Sequence, residues 1–335
     1  MLLNGLAWQP GRGGVSTYIE ELTAALPGCV RDASLLQLRI ERPVPRNHPP
    51  GAISVVGWRR SNAVGRVLGS HVGTRSAVFH GLDAALPFAR RGPSVITVHD
   101  VSVFDHPAGP RRRLAAKRAA LSHACRAADT VISVSRFTAE RVAERWGREA
   151  TVIPLAPRPS FRPAPRDEIL ALRAKWRLPR DFVLGIGTAD GRKAPEALSR
   201  AARALDVPAV TVGPTLFDEH PSRGMRHLGF VPLEDLRCLY SAAAATVYLS
   251  EYEGFGLPPF ESLACGTPVV SSRVGAVADH LADAVTFVDG LGTDELAQAL
   301  TRVLELDARP DRPTLSWEHT AKATADVYRE LGAQI

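Results

Sequence analysis

Short apolar runs recur along the whole chain, and most are followed by a stretch in which apolar residues return every three or four positions. MLLNGLAW opens as a strand, Gly11-Arg12-Gly13-Gly14-Val15 turns the chain, and Thr17 to Leu26 carries helical spacing. Further strands are predicted at Ala52–Val56, Ala77–His80, Ser94–Val98, Thr130–Val134 and Thr151–Ile153. Between them, helices run from Gly109-Pro110 to about Ala128 and from the N-cap Ser135 to near Trp146. Five prolines between Pro154 and Pro165 then read as a linker. Beyond it the same grammar returns. A helix over Arg166–Trp176 precedes strands at Phe182–Gly187, Ala209–Val212 and His227–Pro232 and a helix over Leu233–Ala243. Ala245–Leu249 and Val269-Val270 bracket a short helix, Phe260–Cys265, that a proline can start and Gly266 can cap. A strand at Thr286–Val288, a helix over Thr293–Leu306 and a last helix from Ser316 to about Leu331 complete the chain. Strand-helix alternation of this kind predicts α/β architecture with doubly wound parallel sheets, whose ligands sit at the carboxyl ends of the strands.

The length of 335 residues agrees with two domains. Hydrophobic residues at 45% and charged residues at 23% describe a folding chain and exclude a disordered one. No run of eighteen apolar residues is present, so no membrane-spanning helix is expected, and the opening residues lack the basic and apolar regions of a secretory signal. Cys29, Cys125, Cys238 and Cys265 are scattered without CxxC spacing, which argues against a zinc site or disulfide framework and fits a reducing cytoplasm. Charge is uneven: residues 1–160 hold 22 Lys and Arg against 11 Asp and Glu, and the remainder holds 19 against 24, giving the net +6. The basic half is expected to meet something anionic. No helix-turn-helix, zinc or aromatic-basic signature supports nucleic acid, so a membrane surface or a phosphorylated acceptor is the more economical partner.

The chemistry concentrates between Ala243 and Ser272. Glu253 stands where the strand Ala245–Leu249 would deliver a ligand, and Glu261 lies in the helix that follows. Ionised carboxylates accept bidentately from vicinal sugar hydroxyls, and the free amides of Gly256, Leu257 and Phe260 at the helix start favour an anion. A nucleotide sugar would match that order of groups. On spacing alone, a Gly/Pro loop between core strands with both glutamates solvated fits as well. Arg192-Lys193, ending the loop GTADGRK before another helix, are suited to a diphosphate, Arg as a fork and Lys as a point charge. That loop is one residue too long for GxGxxG, which disfavours a nicotinamide cofactor. Arg111, Arg112 and Arg113 open a basic helix that reads either as a solvated face or as a membrane or acceptor contact.

Glu253-GFGLPPF-Glu261 with the following SLACGTPVVSS resembles the E-x7-E segment of the family 4 retaining glycosyltransferases. Gly13-Gly14-Val15-Ser16-Thr17-Tyr18 resembles that family's amino-terminal glycine turn, TVHDVSVFDHPA its HD loop, Arg192-Lys193 its RK pair, and His227-Leu-Gly-Phe-Val-Pro232 its nucleobase loop. One departure is Ala194-Pro195, where asparagine often follows the basic pair. The resemblance implies a GT-B fold: two Rossmann-like doubly wound domains facing a cleft, residues 1–158 with the crossing-back helix 316–335, and residues 159–315. It implies a hexosyltransferase using a GDP-mannose-type or other nucleotide diphosphate sugar, active in cell-envelope polysaccharide, glycolipid or glycosylated-metabolite synthesis. A sugar-nucleotide epimerase of the same fold and an inactive partner subunit are the alternatives. The implied catalytic residues are Glu253, His99, Arg192 and Lys193. Donor contacts are Glu261, Gly14, Gly254, Phe255, Gly256, Leu257 and Val231, and Gly13, Tyr18 and Arg111–Arg113 fall on the acceptor or membrane side. No DxD element is present, so neither a metal nor another cofactor is expected beyond the donor. A glycan, lipid-linked or small-molecule acceptor, peripheral membrane contact and no nucleic acid complete the expectation.

Overall fold

The computed structural model describes residues 2–5, 7, 13–30, 33–38, 53–58, 78–86, 92–107, 109–187, 193–213, 224–290, 292–306 and 310–333. Two compact units emerge, Met1–Ala156 with Leu315–Ile335, and Pro157–Thr314. Among the described residues no helix is long and apolar enough to cross a membrane.

Among the described residues the first unit is built on an all-parallel sheet of seven strands: β1 (Leu2–Asn4), β2 (Ala33–Leu38), β3 (Ile53–Trp58), β4 (Phe79–Gly81), β5 (Ser94–Val98), β6 (Thr130–Ser133) and β7 (Thr151–Val152). Their order, β3-β2-β1-β4-β5-β6-β7, reverses direction at β1 and β4, the switch point where doubly wound sheets bind ligands. β5 is buried at every position, as strands covered on both faces must be. Helix α1 (Gly13–Ala25) begins four residues earlier than its apolar pattern predicts, so the glycine turn is partly its first turn. A short helix α2 (Ser102–Asp105) was not expected from the pattern; α3 (Arg111–Ala127) and α4 (Arg136–Trp146) were. The Ser135 hydroxyl accepts from Thr138 N–H at 3.1 Å, and Gly147 takes the left-handed conformation that ends α4.

Among the described residues the second unit holds six parallel strands in the order β10-β9-β8-β11-β12-β13. They are β8 (Val183–Ile186), β9 (Ala209–Val212), β10 (Met225–His227), β11 (Ala245–Tyr248), β12 (Val269–Ser272) and β13 (Val285–Val288). Helices α5 (Arg166–Trp176), α6 (Pro195–Ala204), α7 (Leu233–Ala242), α8 (Leu257–Ala264), α9 (Gly275–His280) and α10 (Thr293–Leu304) cover the sheet. Side chains alternate between its faces: Val183 joins Leu198, Leu296 and Leu300 on one, while Leu184 joins Leu172, Leu239 and Ala264 on the other. The strand expected at His227–Pro232 lies earlier, and residues 228–232 form a loop tied to β9 by Gly213 N–H on the Gly229 carbonyl, 2.9 Å.

The last helix, α11 (Trp317–Glu330), is capped by Ser316, whose hydroxyl accepts from His319 N–H at 3.3 Å. It packs on α1 of the first unit, and Thr320 donates to the Pro154 carbonyl at 2.8 Å. Each end of the proline-rich segment packs into the unit it belongs to. Leu155 and Ala156 are buried, as is Phe161, whose ring meets Tyr240 edge-on at 5.7 Å.

Candidate active site

At the switch point of the second sheet β11 lies beside β8, and their carboxyl ends bring together residues sixty apart in sequence. Lys193, just before α6, forms an ion pair with Glu253, in the loop after β11. Its Nζ also donates to the Tyr248 hydroxyl at 3.3 Å and lies 4.4 Å from the centre of that ring. Ser250 donates to Glu253 Oε1 at 2.9 Å. Burial first, and then the Glu253 carboxylate that accepts from it, push the Tyr248 hydroxyl well above its ordinary pKa, so it stays protonated.

The backbone of this loop is pinned from α9. Ala276 N–H donates to the Phe255 carbonyl at 3.0 Å. A Cβ on Gly275 would fall 2.8 Å from the Glu253 carbonyl oxygen, and its φ of +51° is already left-handed, so no other residue lets the loop seat there. Gly256, with φ of +85°, caps α8, and a Cβ on it would meet Val277 at 2.9 Å. Gly254 is buried here too, and Leu257 and Pro258 begin the helix. Phe255 and Leu257 have buried side chains, the former stacked on Phe260 at 4.8 Å, so only their backbone can meet a donor. Val231 is buried in the loop after β10.

Glu261 departs from its sequence expectation. It lies in the second turn of α8, 8% exposed, and accepts from the Tyr240 hydroxyl at 2.9 Å. Burial raises its pKa to about 7, against the Tyr240 hydrogen bond and the Arg158 charge, so it is not the freely ionised carboxylate that was expected.

In the first unit His99 follows β5. Its Nε2 lies 2.8 Å from the Leu82 carbonyl, which can only accept, so that nitrogen carries the proton. Asp100 orients the loop by accepting from Ser102 N–H at 2.8 Å. Arg141 and Arg145 then hold Asp105 at 3.0 and 2.9 Å, and Arg145 and Arg118 lie over the Phe104 ring.

Tyr18 is a correction. Expected at an acceptor or membrane surface, it is 1% exposed; its hydroxyl bonds Thr97 at 2.8 Å and its ring meets His99 edge-on at 4.8 Å. Thr97 also bonds His80 Nε2 at 2.8 Å, and Tyr328 of α11 closes the chain at His80 Nδ1, 2.6 Å. Burial, aided by His99, drives the His80 pKa down to about 3. Gly13 and Gly14 are exposed at the start of α1, and Arg111, Arg112 and Arg113 at the start of α3. Arg192, Gly11 and Arg12 lie outside the described residues. Among the described residues no cluster of three His, Cys, Asp or Glu is placed to hold a metal ion.

Sequence reasoning missed Tyr248, Ser250, Gly275 and the partnership of Tyr240 with Glu261. Gly275 carried a signal, being the glycine after a strand's carboxyl end; Tyr248 reads only as an apolar strand residue.

Residues 12–159 match the family described as Glycosyltransferase Family 4, and residues 218–315 match Glycosyl transferases group 1. An O-antigen chain mannosyltransferase B of Escherichia coli is 29% identical over 284 residues, 76% of this chain and 74% of that one. A D-inositol 3-phosphate glycosyltransferase 2 of Catenulispora acidiphila is 33% identical over 242 residues, 60% of this chain but only 56% of its own length. Among solved structures, a sucrose-phosphate synthase from Thermosynechococcus elongatus superposes with TM-score 0.71 at 20% identity, covering 98% of this chain and 94% of that one. Anabaena HepE in complex with UDP-glucose does so with TM-score 0.70 at 18% identity, covering 99% and 98%. With the E-x7-E loop closing on its basic partner and both halves matched by transferase families, this GT-B chain is a family 4 glycosyltransferase.

Proposed function

We propose that this glycosyltransferase moves a hexosyl unit from a nucleotide diphosphate sugar to an acceptor hydroxyl, with retention and without a metal. The observation that carries it is the convergence of Lys193, Glu253, Ser250 and Tyr248 on the carboxyl end of β11, at the start of α8. Lys193 is assigned to the diphosphate with Arg192, Glu253 to the transferred sugar, and Glu261 to the ribose. His99, whose Nδ1 is left to accept once Nε2 serves Leu82, is assigned to a sugar hydroxyl. In the reaction the bond from the anomeric carbon to the leaving phosphate oxygen breaks. The acceptor oxygen bonds that carbon from the same face, and its proton passes to the departing phosphate. Charge growing on the diphosphate meets the fixed Lys193 cation and the α8 amides, which supplies the stabilisation a metal gives elsewhere.

The donor class is supported by the UDP-glucose complex of HepE and by the mannosyltransferase name of the Escherichia coli relative. That relative also favours envelope polysaccharide over the other acceptor classes. Peripheral membrane contact is assigned to α3, whose first turn carries three arginines and no acid, against the helix dipole. The test is incubation with UDP- and GDP-sugars and candidate acceptors, with and without chelator, reading the product anomer by NMR. Expected is transfer with the donor's anomeric configuration kept and no chelator effect. An inverted anomer, activity restored only by added metal, or epimerised donor without transfer would each overturn the proposal.

A further inference from the structure

Lys193 has a long side chain with several rotatable bonds, and ordering it costs rotamer freedom. Its anionic partner in the structure is Glu253, which the proposed function assigns to the transferred sugar once donor binds. An ion pair that is exchanged in each cycle cannot keep Nζ in place throughout. The third contact can. Tyr248 is the last residue of β11, 3% exposed, flanked by β8 and β12 and abutted by Gly256, where a Cβ would lie 3.5 Å from its ring. Its ring lies 4.4 Å from Nζ and its hydroxyl 3.3 Å. The hydroxyl accepts from Lys193 and donates to Glu253, so one oxygen ties the two groups together. The ring's attraction for a cation is not used up by an incoming anion.

We propose that Tyr248 is a positioning residue for Lys193: its buried ring and hydroxyl hold Nζ at the end of β11 while Lys193 exchanges the Glu253 carboxylate for the donor diphosphate. This rests on the reading that Lys193 meets that diphosphate. A group that is already in place contributes to the transition state without reorganising, so the loss should fall on kcat.

The test is a double-mutant cycle on the full chain, with UDP-glucose or GDP-mannose, whichever the donor panel shows to be turned over. Tyr248→Met keeps an apolar filler and should lower kcat about tenfold, with KM for donor moving less than threefold. Tyr248→Phe keeps the ring and should recover at least half of that loss on a logarithmic scale. In a Lys193→Ala background, Tyr248→Met should change kcat by less than about twofold, because the residue it serves is gone. A purely structural tyrosine would instead reduce kcat by the same factor in both backgrounds, which would overturn the inference. If Tyr248→Met does not fold, the cycle runs with Tyr248→Phe, whose smaller loss must likewise vanish without Lys193. Unchanged kcat in Lys193→Ala alone would overturn the underlying reading of Lys193 rather than the role of Tyr248.

Discussion

Glu261 is a carboxyl group held against its ordinary ionisation, and that makes its role measurable. With its pKa raised to about 7 by burial, it is partly protonated near neutrality, and only the ionised form can accept both hydroxyls of a ribose. Affinity for free UDP or GDP is therefore expected to rise by several-fold between pH 6 and pH 8 in wild type. Titration calorimetry on Glu261→Gln should show weak binding with that pH dependence gone; a rise that persists would remove Glu261 from the nucleotide site. Lys193 gives the complementary case. Deleting a donor aimed at charge that develops only in the transition state typically costs about 3–4 kcal/mol, so Lys193→Ala should lower kcat by roughly 10²–10³. KM for donor should move much less in steady-state kinetics, and a defect confined to KM would mean that Lys193 only holds substrate.

Elements with strong local signals were legible in the sequence, and those defined by their neighbours were not. β5, α5 and β9 lie where the pattern places them, because each combines an apolar period with clear boundaries. β2 was not read, since ASLLQL lacks the β-branched and aromatic residues that mark a strand, and only pairing with β1 and β3 makes it one. β10 was displaced because an edge strand pairs on one side only. Met-Arg-His suffices for it, while the apolar phrase Leu228–Val231 belongs to the loop. The two glutamates were visible in the loop, but their partners were not: Lys193 meets Glu253 and Tyr240 meets Glu261 only because of strand order. Helix α3 is a different matter, visible in sequence but ambiguous in purpose. Its exposed Arg111, Arg112, Arg113 and Lys117 stand at the dipole's positive end, where cations are unfavourable without an external anion. If that anion is lipid, each arginine should contribute on the order of 1 kcal/mol to association with anionic vesicles, weakening at high salt. Sedimentation with phosphatidylserine liposomes should show a triple Arg111/Arg112/Arg113→Ser variant largely unbound; equal binding of wild type and variant would return the helix to a solvated face.

Across the whole molecule the two units hold buried groups that respond oppositely to pH, His80 in the first and Glu261 in the second, while His227 of the second unit, its pKa lowered by desolvation, works against Glu261. In the first unit the His80 pKa falls to about 3, below its ordinary 6.5, so the folded state refuses a proton that the unfolded chain accepts. Stability from this group is full above pH 6.5 and is lost as pH falls toward 3, at up to about 1.4 kcal/mol per pH unit. Asp105 adds to the same trend at lower pH, since Arg141 and Arg145 overcome its burial and hold its pKa below the ordinary carboxylate range. In the second unit the Glu261 pKa rises to about 7, above its ordinary 4.5, so the folded state keeps a proton that the unfolded chain releases. Its contribution is full below pH 4.5 and is lost as pH climbs to 7, with a similar slope. For units of this size one kcal/mol shifts a melting temperature by roughly 2–4 °C, so each slope is worth at most about 3–6 °C per pH unit. Calorimetry between pH 4.5 and pH 8 is the measurement, since a two-unit chain need not melt in one step. One transition should weaken toward acid and flatten in His80→Gln; the other should weaken toward neutrality and flatten in Glu261→Gln. Each substitution should leave the other unit's slope unchanged, because the two groups share no partner. A pH profile that neither substitution alters would show that His80 and Glu261 titrate in the folded chain as they do in water, and the burial assigned to both would be wrong.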